Sequence, residues 1–486
     1  MRRALPALLL LLLACRPSAS VPAGPAPPVP VAVEADLAAP ISETDPRYLS
    51  VALDTASVLG GAFWSKGGAA ASVSGDRDVP ALDLASPTLI ERARALAPAY
   101  LRIGGTAADT VDYQLDAERP LPKGDKLRLT RERWEQIADF SRALDFPLLF
   151  TLNAGPATRD AKGAWTSANA APLVAAGAPV AVWELGNEIN AFPLMHGLTH
   201  GVSGEQLGAD IRAARAVLDG AGSRARLAAP ACAYWPVLGE VHGVLQDALR
   251  HGGDALQIVT WHYYPQQSRR CPAAVRRAGP EVLLDPDHLD ELARWAKVVR
   301  TARDASAPKA ELWLGETGNA QCGGEPGVSD AFAGSLWWID ELGLAAATGH
   351  RVVVRQSLVG SDYGLLDPET LEPRPDYWAS LLWKRAMGTR VLRTRSGSRM
   401  VRAYAHCAAS GPPGAVALAL VNLDRDAPAA VSVPWPLAGA TGSVVTAPSL
   451  DSRTVSIQET VPLRLPPRSY ALAVFPAAGA PACAAP

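Results

Sequence analysis

From Leu49 onward the chain alternates a short apolar run with a longer amphipathic stretch, eight times over. The runs are Leu49–Asp54, Ala99–Gly105, Pro147–Gly155, Val180–Glu188, Arg226–Cys232, Ile258–Pro265, Ala310–Gly318 and Arg351–Leu358. Such alternation is the pattern of βα units and a parallel sheet. Between the runs lie helix starts, for example Ser86-Pro87 and the capping-box pattern Ser203-Gly-Glu-Gln206. Eight strands with intervening helices make an α/β fold, a (β/α)8 TIM barrel, here expected over residues 48–388. After about residue 389 the runs turn short and β-rich, as in Met400–Ala405, Ala415–Leu423 and Tyr470–Phe475, broken by Pro, Gly and Asp. This predicts a C-terminal β-sandwich over 389–484. Segment 31–47, with its Val31–Glu34 run, is expected to lend that sandwich a strand, since chain termini often lie close together.

The length of 486 residues suits a large barrel plus an accessory unit. A formal net charge of −2 leaves no global footprint for nucleic acid. The chain opens Met1-Arg2-Arg3 and continues apolar to Ala14, too short to span a membrane but suited to a secretory signal over 1–15. Leu12-Leu13-Ala14-Cys15 resembles a bacterial lipobox, in which Cys15 is lipidated; the plainer alternative is a signal that ends near a cysteine. Residues 16–30, rich in Pro, Ala and Ser, read as an extended tether. The expected location is therefore the cell envelope or the exterior, with contact to the membrane only through a lipid anchor. Cysteines stand at 15, 232, 271, 322, 407 and 483 with no CxxC pair, and export favours disulfides over metal sites.

Two glutamates end two of the runs, Glu188 in Trp183-Glu-Leu-Gly-Asn-Glu188 and Glu316 in Trp313-Leu-Gly-Glu316. Catalytic groups of parallel barrels sit at the C-terminal ends of strands, and the fourth and seventh strands face each other across the mouth. Glycosidic bonds are cleaved by such a pair, one carboxyl giving a proton and the other attacking or stabilising the sugar carbon. The competing reading is an ion pair of either glutamate with Arg102 or Arg355. In the sixth run, Thr260-Trp-His-Tyr-Tyr264, alternation puts His262 and Tyr264 on one face, expected to be turned toward the nucleophile, with aromatic barrel filling as the alternative.

These motifs, with Ala99-Tyr-Leu-Arg-Ile-Gly-Gly-Thr106, Val354-Arg-Gln356 and Pro375-Asp-Tyr-Trp378, resemble glycoside hydrolase family 79, the heparanases and their bacterial relatives, from about Tyr48 to Cys483. The resemblance implies a retaining mechanism with no cofactor, Glu188 acting as acid then base and Glu316 as nucleophile. It implies Asn187 on the sugar 2-hydroxyl, and Asp54, Thr106 and Gln356 lining the sugar subsite, where Asp54 or Thr106 could instead cap a helix or loop. It implies that Tyr363 and the Cys322-Gly323-Gly324 loop read a uronate carboxylate; Cys322 stands where the family has glycine, which restricts the backbone if φ must be positive. It also implies a Cys407–Cys483 disulfide. A second bridge, Cys271–Cys322, follows from topology, because the two loops are neighbours at the barrel mouth. The implied partner is a glycan containing β-linked glucuronic acid, met by a monomer.

Other readings are weaker. His196 and His200 are four apart but lack the glutamate of an HExxH zinc motif, so no metal is expected. Arg269, Arg270, Arg276 and Arg277 could meet sulfates of a polymer or form a solvated loop. The same glutamates could serve a neutral glycoside, or the chain could be a lipid-anchored glycan-binding protein that has lost activity.

Overall fold

The computed structural model describes residues 26–68, 75–177, 179–461 and 463–484, so the leader, Cys15 and most of the tether fall outside the described residues. All eight apolar runs are strands: Leu49–Asp54, Leu101–Gly104, Leu148–Leu152, Val180–Leu185, Arg226–Tyr234, Ile258–Tyr263, Glu311–Thr317 and Val352–Arg355. They pair in parallel and the eighth closes on the first. Helices cover the outside and begin where the sequence signals them. Ser86 Oγ accepts from the Leu89 N–H (3.4 Å) at the head of Pro87–Arg94, and Ser203 Oγ from the Gln206 N–H (3.1 Å) at the head of Gly204–Gly220.

The barrel interior is layered. Tyr100, Leu149, Val182, Ala228, Ile258, Trp313 and Val352 form an apolar plug near the strand starts. Two residues farther along, the period of a strand brings Arg102, Thr151, Glu184 and Thr260 to the same inner face, all buried. A charged layer thus sits directly beneath the mouth.

Strict alternation would turn Glu316 outward, because Trp313 and Gly315 already point inward. The register against the sixth strand slips at this point: Trp261 faces Leu314, and the next residue, His262, faces Glu316. Gly315 is the extra residue of a bulge, and a Cβ there would stand only 3.0 Å from Thr260 Cβ. The bulge returns Glu316 to the inner face and leaves Thr317 outward, where its hydroxyl donates to Glu341 (3.1 Å) on helix Phe332–Ala347. The fifth strand slips likewise between Pro230 and Cys232, with Ala231 at φ 49° and its carbonyl accepting the Glu188 N–H at 2.9 Å.

Beyond the barrel lies one nine-stranded sheet. Its seventh member is the N-terminal strand Val29–Glu43, which begins within the segment read as tether. It runs antiparallel to Met387–Ser396 and, over its first residues, parallel to Ala429–Ser432. The sheet folds back on itself, so that Val31, Leu418, Val431, Leu465 and Phe475 share one core. Strand Val416–Asn422 is buried at every position because Ala417, Ala419 and Val421, on its other face, join the barrel core. Helix Phe332–Ala347 is one contact, where Tyr404 OH donates to Asp340 (2.5 Å) and a Cβ on Gly343 would fall 2.1 Å from the Tyr404 ring; helix Pro375–Ala386 is another, with Trp383 edge-on to His406. A Cys407–Cys483 disulfide ties strand Val401–Ala408 to the final turn.

Candidate active site

The fourth strand ends at Leu185 and turns through Gly186 at φ 69°, where a Cβ would stand 2.6 Å from Ile189. Asn187 follows with its N–H on Asp109 Oδ2 (2.8 Å). Glu188 takes the left-handed conformation, φ 51°, held by its bond to the Ala231 carbonyl. Such a conformation costs a non-glycine residue on the order of 1 kcal/mol and is kept where the surroundings fix it. The Glu188 carboxylate reaches His262 Nδ1 at 3.2 Å.

Glu316 is held differently. Its Oε2 accepts from Arg102 Nη1 at 2.6 Å and its Oε1 from the Tyr264 hydroxyl at 2.7 Å. Arg102 is fully buried and spends the rest of its fork on Glu184 Oε2 (Nε, 2.9 Å) and Asn187 Oδ1 (Nη2, 2.8 Å). Because that oxygen faces the guanidinium, the Asn187 NH2 is left as a donor. Burial alone would raise the Glu316 carboxyl; the charges of His262 and Arg102 and the bonds from Tyr264 and Arg102 outweigh it and hold it below its ordinary value. Burial, and then the charge of Glu316, push the Tyr264 phenol well up, so it remains a donor.

Carboxylate oxygens of Glu188 and Glu316 and a ring nitrogen of His262 lie within 4.8 Å of one another, the one trio of potential metal ligands this close among the described residues. The Arg102 guanidinium on Glu316 already supplies the positive charge there, and Tyr264 takes the other oxygen, so the trio fits a working carboxyl pair better than a cation site. His196 lies outside it and packs edge-on against Phe192, ring centroids 4.7 Å apart. Arg355 pairs with Asp376 (2.7 Å) and with neither glutamate.

A cavity of about 650 Å³ opens above the pair. Asp54, Thr106, Tyr264, Cys322, Gln356 and Tyr363 border it together with both glutamates. Asn187, His262 and Gly323 do not border it. Asn187 and His262 instead meet groups beneath or beside the pair, so the shared face of His262 and Tyr264 serves both carboxylates, one each. Asp54 caps the short helix Thr55–Leu59 through the Ala56 N–H (2.9 Å) and also meets Gln356 Nε2 (3.3 Å), which reaches the Tyr363 hydroxyl (3.4 Å). Burial first, and Glu316 as well, push its carboxyl up to about 7 against the bond from Ala56. Cys322 is bonded to Cys271 and stands at φ 61°, ahead of Gly323 at φ 80°, where a Cβ would meet Trp64 at 2.4 Å. Cys232 is free and buried.

Sequence motifs do not single out Glu184 or Asp109, and they offer Arg102 only as a rival ion-pair partner. Their signal was present in the sequence: Arg102 and Glu184 are charges in phase with inward apolar positions of buried strands, where charge survives only when paired.

A buried carboxyl pair at the mouth of a closed (β/α)8 barrel marks the class of barrel glycoside hydrolases. Residues 70–343 match the family model described as glycosyl hydrolase family 79, N-terminal domain. Heparanase of Gallus gallus is 32% identical over 445 residues, covering 79% of each chain, and baicalin-beta-D-glucuronidase of Scutellaria baicalensis is 26% identical, covering 81% of this chain and 78% of its own. Among solved structures, the GH51 arabinofuranosidase of Xanthomonas axonopodis pv. citri superposes with a TM-score of 0.67 at 16% identity, covering 92% of this chain and 99% of its own, a likeness of fold. The chain belongs to glycosyl hydrolase family 79.

Proposed function

We propose that this glycoside hydrolase is a retaining β-glucuronidase with Glu316 as nucleophile and Glu188 as acid and then base. The observation that carries the reading is the unequal setting of two neighbouring carboxyls. Arg102 and Tyr264 donate to both oxygens of Glu316 and keep it anionic, while the side chain on the Glu188 carboxylate is that of His262, at 3.2 Å. Glu316 attacks the anomeric carbon as Glu188 gives its proton to the departing oxygen, forming a glycosyl ester and a free alcohol. Glu188, now ionised, takes a proton from water, whose oxygen displaces Glu316 and restores both groups. Retention calls for carboxyls about 5–5.5 Å apart, and the closeness of these two is in keeping with it. Asn187, with its NH2 free to donate, is the candidate for the sugar 2-hydroxyl.

The names of the relatives, heparanase and baicalin-beta-D-glucuronidase, support a glucuronide. So does the Tyr363 hydroxyl, which borders the cavity and accepts from Gln356 Nε2 at 3.4 Å, leaving its own O–H to donate. Hydrolysis of an aryl β-D-glucuronide beside the matching glucoside and xyloside, by wild type and Glu316→Gln, tests the reading. Glucuronide turnover lost in the variant supports it; cleavage of only a neutral glycoside rejects the substrate. Leu12-Leu13-Ala14-Cys15 supports export to the envelope on a lipid anchor. Membrane fractionation of wild type and Cys15→Ser tests that, a soluble wild type contradicting it.

A further inference from the structure

Twelve large apolar side chains are exposed among the described residues, and five of them, Leu194, Leu198, Leu238, Val241 and Val275, border the one cavity that holds Glu188 and Glu316. Leu194 and Leu198 are 68% and 87% exposed. Single exposed apolar residues are ordinary, but their convergence on a catalytic cleft is not. All five come from the loops after the fourth, fifth and sixth strands. That is the side of Glu188, whose own loop carries Leu194 and Leu198. The opposite side carries the polar groups of Asp54, at the end of the first strand, and of Gln356 and Tyr363, after the eighth, beside the buried rings of Phe63 and Trp64.

The wall is also held in place. Val237 is fixed at φ 66° by its N–H on Glu291 Oε1 (3.0 Å), in a tight turn closed by two bonds between Trp235 and Gly239, which presents Leu238 to the cavity. The Cys271–Cys322 disulfide anchors the loop that carries Val275. No lysine or arginine borders the cavity among the described residues. The arginines that could have met sulfates lie outside the cavity lining and each has a partner, although Arg269 stays 62% exposed. Arg270 pairs with Asp362, Arg276 with Glu291 (2.9 Å) and Arg269 with Glu325 (3.5 Å), while Arg277 donates to the Ser268 and Cys271 carbonyls at 2.9 and 3.1 Å.

The acid must touch the leaving oxygen, so the group that leaves lies on the Glu188 side. We infer that this group is an uncharged apolar aglycone, an alkyl or aromatic alcohol, seated on the wall of Leu194, Leu198, Leu238, Val241 and Val275, and not a sulfated sugar. The inference rests on the glucuronidase reading and names its substrate class.

The test is a series of n-alkyl β-D-glucuronides from ethyl to octyl, in which the basicity of the leaving alcohol hardly changes while its apolar surface grows. A fully buried methylene is worth about fourfold, and a wall that covers one side of the chain about twofold. Six added methylenes should then raise kcat/KM by roughly 60-fold. Leu194→Ser combined with Leu238→Ser should cut the octyl-to-ethyl ratio several-fold without lowering Tm, because both side chains are exposed. A flat series overturns the inference and leaves the glucuronidase standing. Preference for a sulfated glucuronide oligosaccharide over the octyl compound overturns it too. No turnover of any glucuronide, with cleavage of a neutral glycoside, removes the glucuronidase reading and this inference with it.

Discussion

Tyr264→Phe should move the acid limb of the pH profile and leave the fold intact. The ring stays, and only the hydroxyl that donates to Glu316 Oε1 at 2.7 Å is lost. A hydrogen bond to a charged acceptor contributes about 1.5–3 kcal/mol. At 1.36 kcal/mol per pKa unit, its loss raises the Glu316 carboxyl by roughly one to two units. The sign is fixed by the structure. Glu316 sits below its ordinary value, so its ionised form stabilises the fold above the unfolded pKa, and that stabilisation is lost as pH falls through the folded pKa. Without the hydroxyl, both the stabilisation and, on the proposed mechanism, the ionised nucleophile are lost at higher pH. The assay is kcat/KM for an aryl β-D-glucuronide across pH, with Tyr363→Phe as a control that leaves the Glu316 oxygens bonded as before. An acid limb unmoved in Tyr264→Phe would refute the role given to this bond, whatever happens to the maximal rate.

Other outcomes follow from the same contacts. Arg102→Met strands two carboxylates, Glu184 and Glu316, on a buried layer, and should cost about 3–5 kcal/mol in urea unfolding; a loss under about 1 kcal/mol would contradict the pairing. Glu188→Gln should lower kcat/KM, which reports formation of the glycosyl ester, by about 10²–10⁴ for alkyl glucuronides while sparing kcat/KM for those whose phenol leaves without a proton; an equal loss of kcat/KM on both would remove Glu188 as the acid. Asp54 is pushed up to about 7, so its burial costs the fold progressively more as pH rises from about 4 to about 7, some 4 kcal/mol in all. Asp54→Asn should therefore gain stability at pH 8 relative to pH 4, and parallel unfolding curves at the two pH values would speak against it.

The barrel was legible because buried parallel strands write themselves as apolar runs, and each of the eight appears within a residue or a few of its expected bounds. Glu188 was legible by position, at the end of the fourth run, although it is the turn through Gly186 and the bond to the Ala231 carbonyl that aim it. Glu316 reaches the same face only through the extra residue Gly315, and a bulge has no local signature beyond its glycine. The Arg102 network was the harder part. Its members lie on separate strands, and only closure of the barrel brings Arg102, Glu184, Asn187 and Glu316 within hydrogen-bond reach. The two-layer sheet was read from its strands, whereas its shared core with the barrel depends on helix Phe332–Ala347, which is apolar on nearly every side and so announces no preferred face.

As the proposed nucleophile, Glu316 forms a covalent bond to the sugar. Incubation with a 2-deoxy-2-fluoro-β-D-glucuronide bearing a fast leaving group, followed by proteolysis and mass spectrometry, tests it. A 2-fluoro group destabilises the oxocarbenium-like transition states of both steps, and the fast leaving group restores only formation, so the glycosyl ester accumulates. The added sugar mass is expected on the peptide carrying Glu316 and is expected to be absent in Glu316→Gln. Sugar mass on another carboxylate, or steady turnover with no label on any, would contradict it.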